Sequence, residues 1–204
     1  MGLFRTDPVD LSDERLMELV VRGNERAFTT LFDRYQRKLL SYFHRMLWND
    51  HERAQDFLQD LFTKLAQQPA RYDPKRPFST WLYSVANNMC KNEYRRQAVR
   101  TAAQPHLKAS NNHTTEAIGG NALDHRQFNS RLEEELDKLD PDQKATFVMR
   151  HYEDMAIKEI AAVFGISEGT VKSRLFYTVK KLAASLPEFD PRPQTPSVTP
   201  AAGR

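Results

Sequence analysis

Between Ile157 and Leu175 the chain has few ways to fold. Ile157, Ile160, Ala161 and Phe164 recur at the three- and four-residue spacing of a single helical face, and Gly165 follows where a helix turns off through the left-handed region that glycine enters without strain. Ser167 restarts the chain with a hydroxyl suited to capping, and Val171, Leu175, Val179, Leu182 and Leu186 give a longer second helix its apolar stripe. A short helix, a glycine turn and a longer helix make a helix-turn-helix. Ser167, Glu168, Thr170, Lys172, Ser173, Arg174, Phe176 and Tyr177 are left towards its open side. Hydroxyls and backbone amides at a helix start suit phosphates, and a Lys and an Arg suit phosphates or guanine edges, so this side is a candidate major-groove reader. The alternative is a plain helical hairpin with a solvated basic face.

The rest of the chain divides around this hairpin. At 204 residues it has room for one domain or two small ones. Residues 12–99 read as one helical block. Ser12 or Asp13 caps a first helix with Leu16, Leu19 and Val20, and Gly23-Asn24 breaks it. A long helix follows with Phe28, Leu31, Phe32, Tyr35, Leu39, Phe43, Met46 and Leu47 along one side. A third carries Ala54, Phe57, Leu58, Leu61, Phe62 and Leu65 inward. After the interruption from Pro69 to Pro77, a fourth places Phe78, Trp81, Leu82, Val85 and Met89 inward.

Residues 100–125 lose all periodicity and read as a flexible linker. Residues 126–186 form a second helical block, broken at Asp140-Pro141, and the prolines of residues 187–204 predict a disordered tail behind it; residues 1–11 precede the first block as an extension. No segment of useful length has the period of a strand. The expected fold class is all-α, two small helical domains joined by a linker.

A formal net charge of +3 says little about partners, so the position of the charge has to carry that argument. The fourth helix and the loop before it gather Arg71, Lys75, Arg76, Lys91, Arg95, Arg96 and Arg100 among Tyr72, Phe78, Trp81, Tyr83 and Tyr94. Cations beside aromatic rings suit a surface that tracks a nucleic-acid backbone and stacks on exposed bases. The stretch from Leu132 to Asp142 is instead acidic and is expected to avoid DNA, whereas Lys172, Arg174, Lys180 and Lys181 return the last helix to positive sign. Two basic surfaces on one tether gain from effective concentration if the linker spans their sites. On the third helix Asp56, Gln59 and Asp60 share a face at spacings of three and four, with Thr63 one turn on, a polar surface fit for a basic partner.

These segments together resemble a bacterial RNA polymerase sigma factor of the extracytoplasmic-function class. Asp56-Phe-Leu-Gln59-Asp60-Leu-Phe62 is similar to the family's region 2.2, and Phe78-Ser-Thr-Trp81-Leu-Tyr83-Ser-Val-Ala-Asn87-Asn88 to regions 2.3 and 2.4. Gly169-Thr170-Val171-Lys172-Ser173-Arg174 is similar to the core of region 4.2. The resemblance covers roughly residues 12–186.

It implies that Asp56, Gln59, Asp60 and Thr63 meet the beta-prime clamp helices of the polymerase core, with a beta-flap contact elsewhere. It also implies that Tyr72, Lys75, Arg76, Asn88, Lys91 and Arg95 serve the minus-ten element, with Asn88 at a flipped-base pocket, and that the hairpin reads the minus-thirty-five element of promoter DNA. A controlling anti-sigma factor is implied as well. One departure stands out: Met155-Ala156 occupies the place where the family often puts a Ser or Thr cap, a loss of about 1 kcal/mol.

Other classes fit less well. One cysteine, Cys90, excludes an internal disulfide and a multi-cysteine zinc site, and the six histidines show no metal-ligand spacing. No phosphate-binding glycine loop or nucleophile elbow occurs, so neither an enzyme nor a cofactor or metal is expected. Glu52, Asp56 and Asp60 lack the further ligands a nuclease metal cluster needs. Nor is there an apolar run of bilayer length or a secretion signal, which argues for the cytoplasm without membrane insertion. The main rival is an operator-binding regulator that dimerises and never joins polymerase.

Overall fold

In the computed structural model, residues 10–103 and 121–189 are described; the expectations for the start of the chain, the middle of the linker and the end of the tail fall outside them. The described residues form eight α-helices and short 3-10 turns at Pro69–Arg71 and Pro187–Phe189, with no strand among them. The helices are α1 (Asp13–Val21), α2 (Glu25–Met46), α3 (His51–Gln67), α4 (Phe78–Ala103), α5 (Asn121–Asp137), α6 (Pro141–His151), α7 (Ile157–Phe164) and α8 (Glu168–Ser185). α4 and α5 thus extend into both ends of the stretch read as linker.

Short polar residues start five of these helices. Ser12, Asn24, Asp50, Asp140 and Ser167 each accept a backbone N–H of the helix they precede. Gly23 ends the first turn region at φ +82°, and Gly165 ends α7 at φ +67°, both in the left-handed region. α4 begins after Pro77 and takes its cap from another helix, since the Phe78 N–H donates to Glu14 Oε1 at 3.1 Å. That bond is the main reason the Glu14 carboxyl lies below its usual range. α7 compensates for its missing Ser or Thr in part: the Ala156 N–H donates to Glu159 Oε2 at 2.8 Å, half of a capping box.

α1 to α4 pack around Leu16, Leu31, Leu39, Phe43, Leu61 and Phe78, all essentially without exposure, and each such side chain contributes about 1.5–3 kcal/mol through its burial. α5 to α8 form the second block, with Leu136, Leu139, Phe147 and Leu182 between α5, α6 and α8. The two blocks pack against each other. α7 lies on α4 and α6 on α2, and a single apolar cluster continues from Leu16 through Cys90 to Met149, Ile160 and Val171.

Two helices depart from the expected stripes, and the apposition explains the first. α4 is covered on two sides, so it buries Tyr83, Ala86, Asn87, Cys90 and Glu93 as well as Phe78 and Leu82, while Trp81, Val85 and Met89 remain half-buried. In α8 the inward position is Thr178, and Val179 is exposed. Thr178 stands seven residues after Val171 and four before Leu182, which keeps it on their face.

Candidate polymerase and nucleic-acid interfaces

Asp56, Gln59, Asp60 and Thr63 are exposed on α3. Gln59 and Thr63 also border an apolar groove of about 440 Å³ floored by Phe28, Phe32, Leu58 and Phe62. Phe62 meets Phe32 edge-on at 4.8 Å, which fixes the floor. The face therefore joins carboxylates and amides to an apolar trough, a combination suited to a partner helix with mixed chemistry.

The second group, around α4, is divided. Tyr72 is buried, and its hydroxyl donates to the Arg76 carbonyl at 2.7 Å while its ring meets Phe78 and Trp81 at 5.6 and 5.5 Å. It braces the loop and is not an open stacking platform; burial pushes its hydroxyl up. Within that loop the Lys75 N–H donates to Asp73 Oδ1 at 3.0 Å. Lys75, Asn88 and Arg95 are exposed; Arg95 donates to Asn92 Oδ1 at 3.5 Å.

Arg76 and Lys91 are instead held by the second block. Arg76 Nη2 donates to the Ala162 carbonyl at 2.7 Å, and Ser84 Oγ to the Val163 carbonyl at 3.0 Å. Ala162 and Val163 lie in the last turn of α7, whose carbonyls have no partner within the helix, so the first block caps α7 from outside. Lys91 Nζ sits 2.7 Å from Asp142 Oδ1 and 5.6 Å from the centre of the Phe164 ring.

Arg174 approaches the same two residues from α8. Its guanidinium is 3.7 Å from Asp142 Oδ2, donates to Thr146 Oγ1 at 3.2 Å and stands 5.1 Å over Phe164. It thus faces α6 and not the open side where the sequence put it. The open side keeps Ser167, Glu168, Thr170, Lys172, Ser173, Phe176 and Tyr177, all exposed. Ser167 Oγ accepts the Thr170 N–H at 3.1 Å, which fixes the start of α8.

Sequence reasoning missed the residues that seal the seam between the blocks. Tyr83 donates to Glu153 Oε2 at 2.7 Å. Burial pushes the Glu153 carboxyl up, against the lowering effect of Tyr83, Lys38 and Arg45. Arg45 lies 3.6 Å over the Tyr152 ring and 3.4 Å from Glu133, which also accepts from Asn49 at 3.1 Å. Behind the seam, Lys144, 2% exposed, pairs with Asp137 of its own block at 2.6 Å and donates to the Tyr94 hydroxyl of α4 at 3.5 Å; burial lowers its pKa. The acidic stretch thus faces inward at Glu133, Asp137 and Asp142. A run of carboxylates opposite a run of cations in a second block was the available signal, without a register to pair them.

Comparison with known proteins agrees with this geometry. The family model for sigma-70 region 2 matches residues 31–100, and that for sigma-70 region 4 matches residues 129–182. The chain therefore belongs to the sigma-70 family of RNA polymerase sigma factors, in its extracytoplasmic-function class. It is 29% identical over 171 residues to the RNA polymerase sigma-H factor of Pseudomonas aeruginosa, covering 80% of this chain and 88% of that one. To the ECF RNA polymerase sigma-E factor of Escherichia coli K12 it is 29% identical over 174 residues, covering 81% and 90%.

Among solved structures, CnrH in complex with the cytosolic domain of CnrY is similar with a TM-score of 0.64 at 26% identity, over 87% of this chain and 98% of that one. The sigma factor RpoE of Bartonella quintana, in complex with the anti-sigma factor NepR, shares the fold with a TM-score of 0.62 at 17% identity, over 80% and 98%. No described helix is long and apolar enough to cross a membrane.

Proposed function

We propose that this sigma factor binds the polymerase core in the cytoplasm through Asp56, Gln59, Asp60 and Thr63, and directs it to promoters by two DNA surfaces. Lys75, Asn88 and Arg95, joined by Arg76 and Lys91, engage the minus-ten element. Tyr72 supports that loop from below. The exposed row of α8 reads the minus-thirty-five element. The two domains are residues 12–99 and 126–186, and promoter engagement separates them, because Arg76 and Lys91 reach DNA only after leaving Ala162 and Asp142.

The chain performs no bond chemistry; it holds strands open by binding them better unpaired, against a cost of a few kcal/mol per flipped base. An anti-sigma factor that covers these faces is the expected regulator.

The observation that carries this reading is the order of the two sigma-70 matches on two helical blocks, with an open polar face on α3 and an open reading helix at the far end. Run-off transcription with purified bacterial core polymerase, with and without the chain, on fragments of its own genome tests it. Specific new transcripts are expected. No capture of core and no transcripts would favour the operator-binding regulator.

A further inference from the structure

The reading helix exposes two large rings that no other described residue covers. Phe176 is 64% and Tyr177 63% exposed, and the rings meet edge-on at 5.4 Å. Apolar surface of this size left in water on a rigid helix is costly unless a partner takes it up. The surroundings identify the chemistry of that partner. Lys172, Phe176 and Lys180 follow one another at four-residue steps, and Ser173, Tyr177 and Lys181 form the adjacent row, so each ring has a lysine one turn beyond it and Phe176 has one on either side. These residues are exposed, and α8 carries no acidic side chain after Glu168. The segment from Ser167 to Phe176 spans about 13 Å along the axis, comparable to the width of a major groove at about 12 Å.

Cations beside the rings suit phosphates; the rings themselves need an apolar group. In the major groove that group is the 5-methyl of thymine, because every other base edge there presents donors and acceptors. We propose that Phe176, supported by Tyr177, reads thymine methyl groups in the upstream promoter element, with Lys172, Lys180 and Lys181 holding the flanking phosphates. This rests on the assignment of α8 as the minus-thirty-five reader.

The probe is duplex DNA selected from a random pool by the full chain on core polymerase, with each thymine of the upstream element then replaced singly by deoxyuridine, which removes only the methyl. The expected result is a three- to fourfold loss of affinity at one or two positions. Phe176→Ala should lose about the same on thymine duplex and become indifferent to uracil at those positions, while Phe176→Leu keeps the sensitivity. Because Phe176 is exposed, both variants should melt like the parent, and the uracil series needs no variant.

Selected duplexes that bind equally with uracil at every upstream position would overturn the inference and leave the sigma reading intact. Failure to select any duplex despite core capture would overturn both assignments of α8. A Phe176→Ala chain with unchanged DNA affinity and weakened core capture would place the rings against protein instead.

Discussion

The chain has two basic surfaces of similar make-up in sequence and opposite state in structure. On α8, Lys172, Ser173, Phe176, Tyr177, Lys180 and Lys181 stand in solvent. On α4 and the loop before it, Arg76 closes the end of α7 and Lys91 shares Asp142 with Arg174. Charge alone therefore does not decide which surface is available to DNA. What decides it is whether a carboxylate or an orphan carbonyl of the other block lies within reach. The α3 face resembles the open case, since Asp56, Gln59, Asp60 and Thr63 are all exposed. In this arrangement the α3 face and the α8 row stay open, while part of the α4 surface is held.

The largest effect is expected on an open face. Asp56→Arg should reduce capture by polymerase core at least about tenfold in a pull-down, through charge reversal at a desolvating contact. Its thermal melt should stay within a few degrees of the parent, since surface changes cost about 0.5 kcal/mol or less. Normal capture would remove α3 from the polymerase-binding face. Next comes Lys172→Ala on α8, which should weaken promoter affinity several-fold and lower the salt slope of binding by about one. An unchanged slope would mean that Lys172 meets no phosphate.

On the divided surface, Asn88 is open, and Asn88→Ala should impair strand opening, seen by permanganate reactivity, more than closed-complex binding in a gel shift. Equal loss of both would argue against a flipped-base role. The held cations give a change of opposite sign. Asp142→Ala releases Lys91 and Arg174 together, and is expected to raise DNA affinity a few-fold and to speed hydrogen exchange in α7. Lower affinity with unchanged exchange would show that Asp142 does not restrain either group.

The smallest effect comes from Glu153, where the two blocks meet at Tyr83. Burial raises its carboxyl above the ordinary value, so the folded apposition binds a proton more readily than the separated chain. Its contribution is present below the ordinary carboxylate pKa and is lost as pH rises through the raised one. Lys38 and Arg45 favour the charged form and Asp154 opposes it. Exchange in α7 should accordingly slow as pH is lowered into the carboxylate range, after correction for the intrinsic rate. Glu153→Gln should flatten that dependence.

The sequence made the elements legible where a local pattern determines them. Ser12, Asn24, Asp140, Ser167 and Gly165 mark helix ends by their own chemistry, and the stripes of α2 and α3 follow from periodicity. The exposed face on α3 and the open row of α8 were readable for the same reason.

The pairing of side chains in the folded chain was not legible. Tyr72 turns inward because the Arg76 carbonyl and two aromatic rings receive it, and Arg174 turns towards α6 because Asp142 and Thr146 do. The acidic stretch was expected to avoid DNA, and nothing in its own pattern announces that Glu133 and Asp142 pair with Arg45 and Lys91 of the first block. α4 buries an extra face only because α7 lies on it, which no periodicity within α4 could announce. What could not be read from sequence is thus set by partners that folding brings together, within one block for Tyr72 and Arg174 and across the two for Arg45, Lys91 and α4.

The central claim is that the two blocks are apposed in the free chain and separate on polymerase. Its most direct test is a spin-label distance between cysteines introduced at the exposed positions Val99 on α4 and Lys158 on α7, with buried Cys90 replaced by alanine. The account predicts one short, narrow distance population in the free chain and a longer one on core polymerase with promoter DNA. A long, broad distribution in the free chain, or the same short distance in both states, would contradict it.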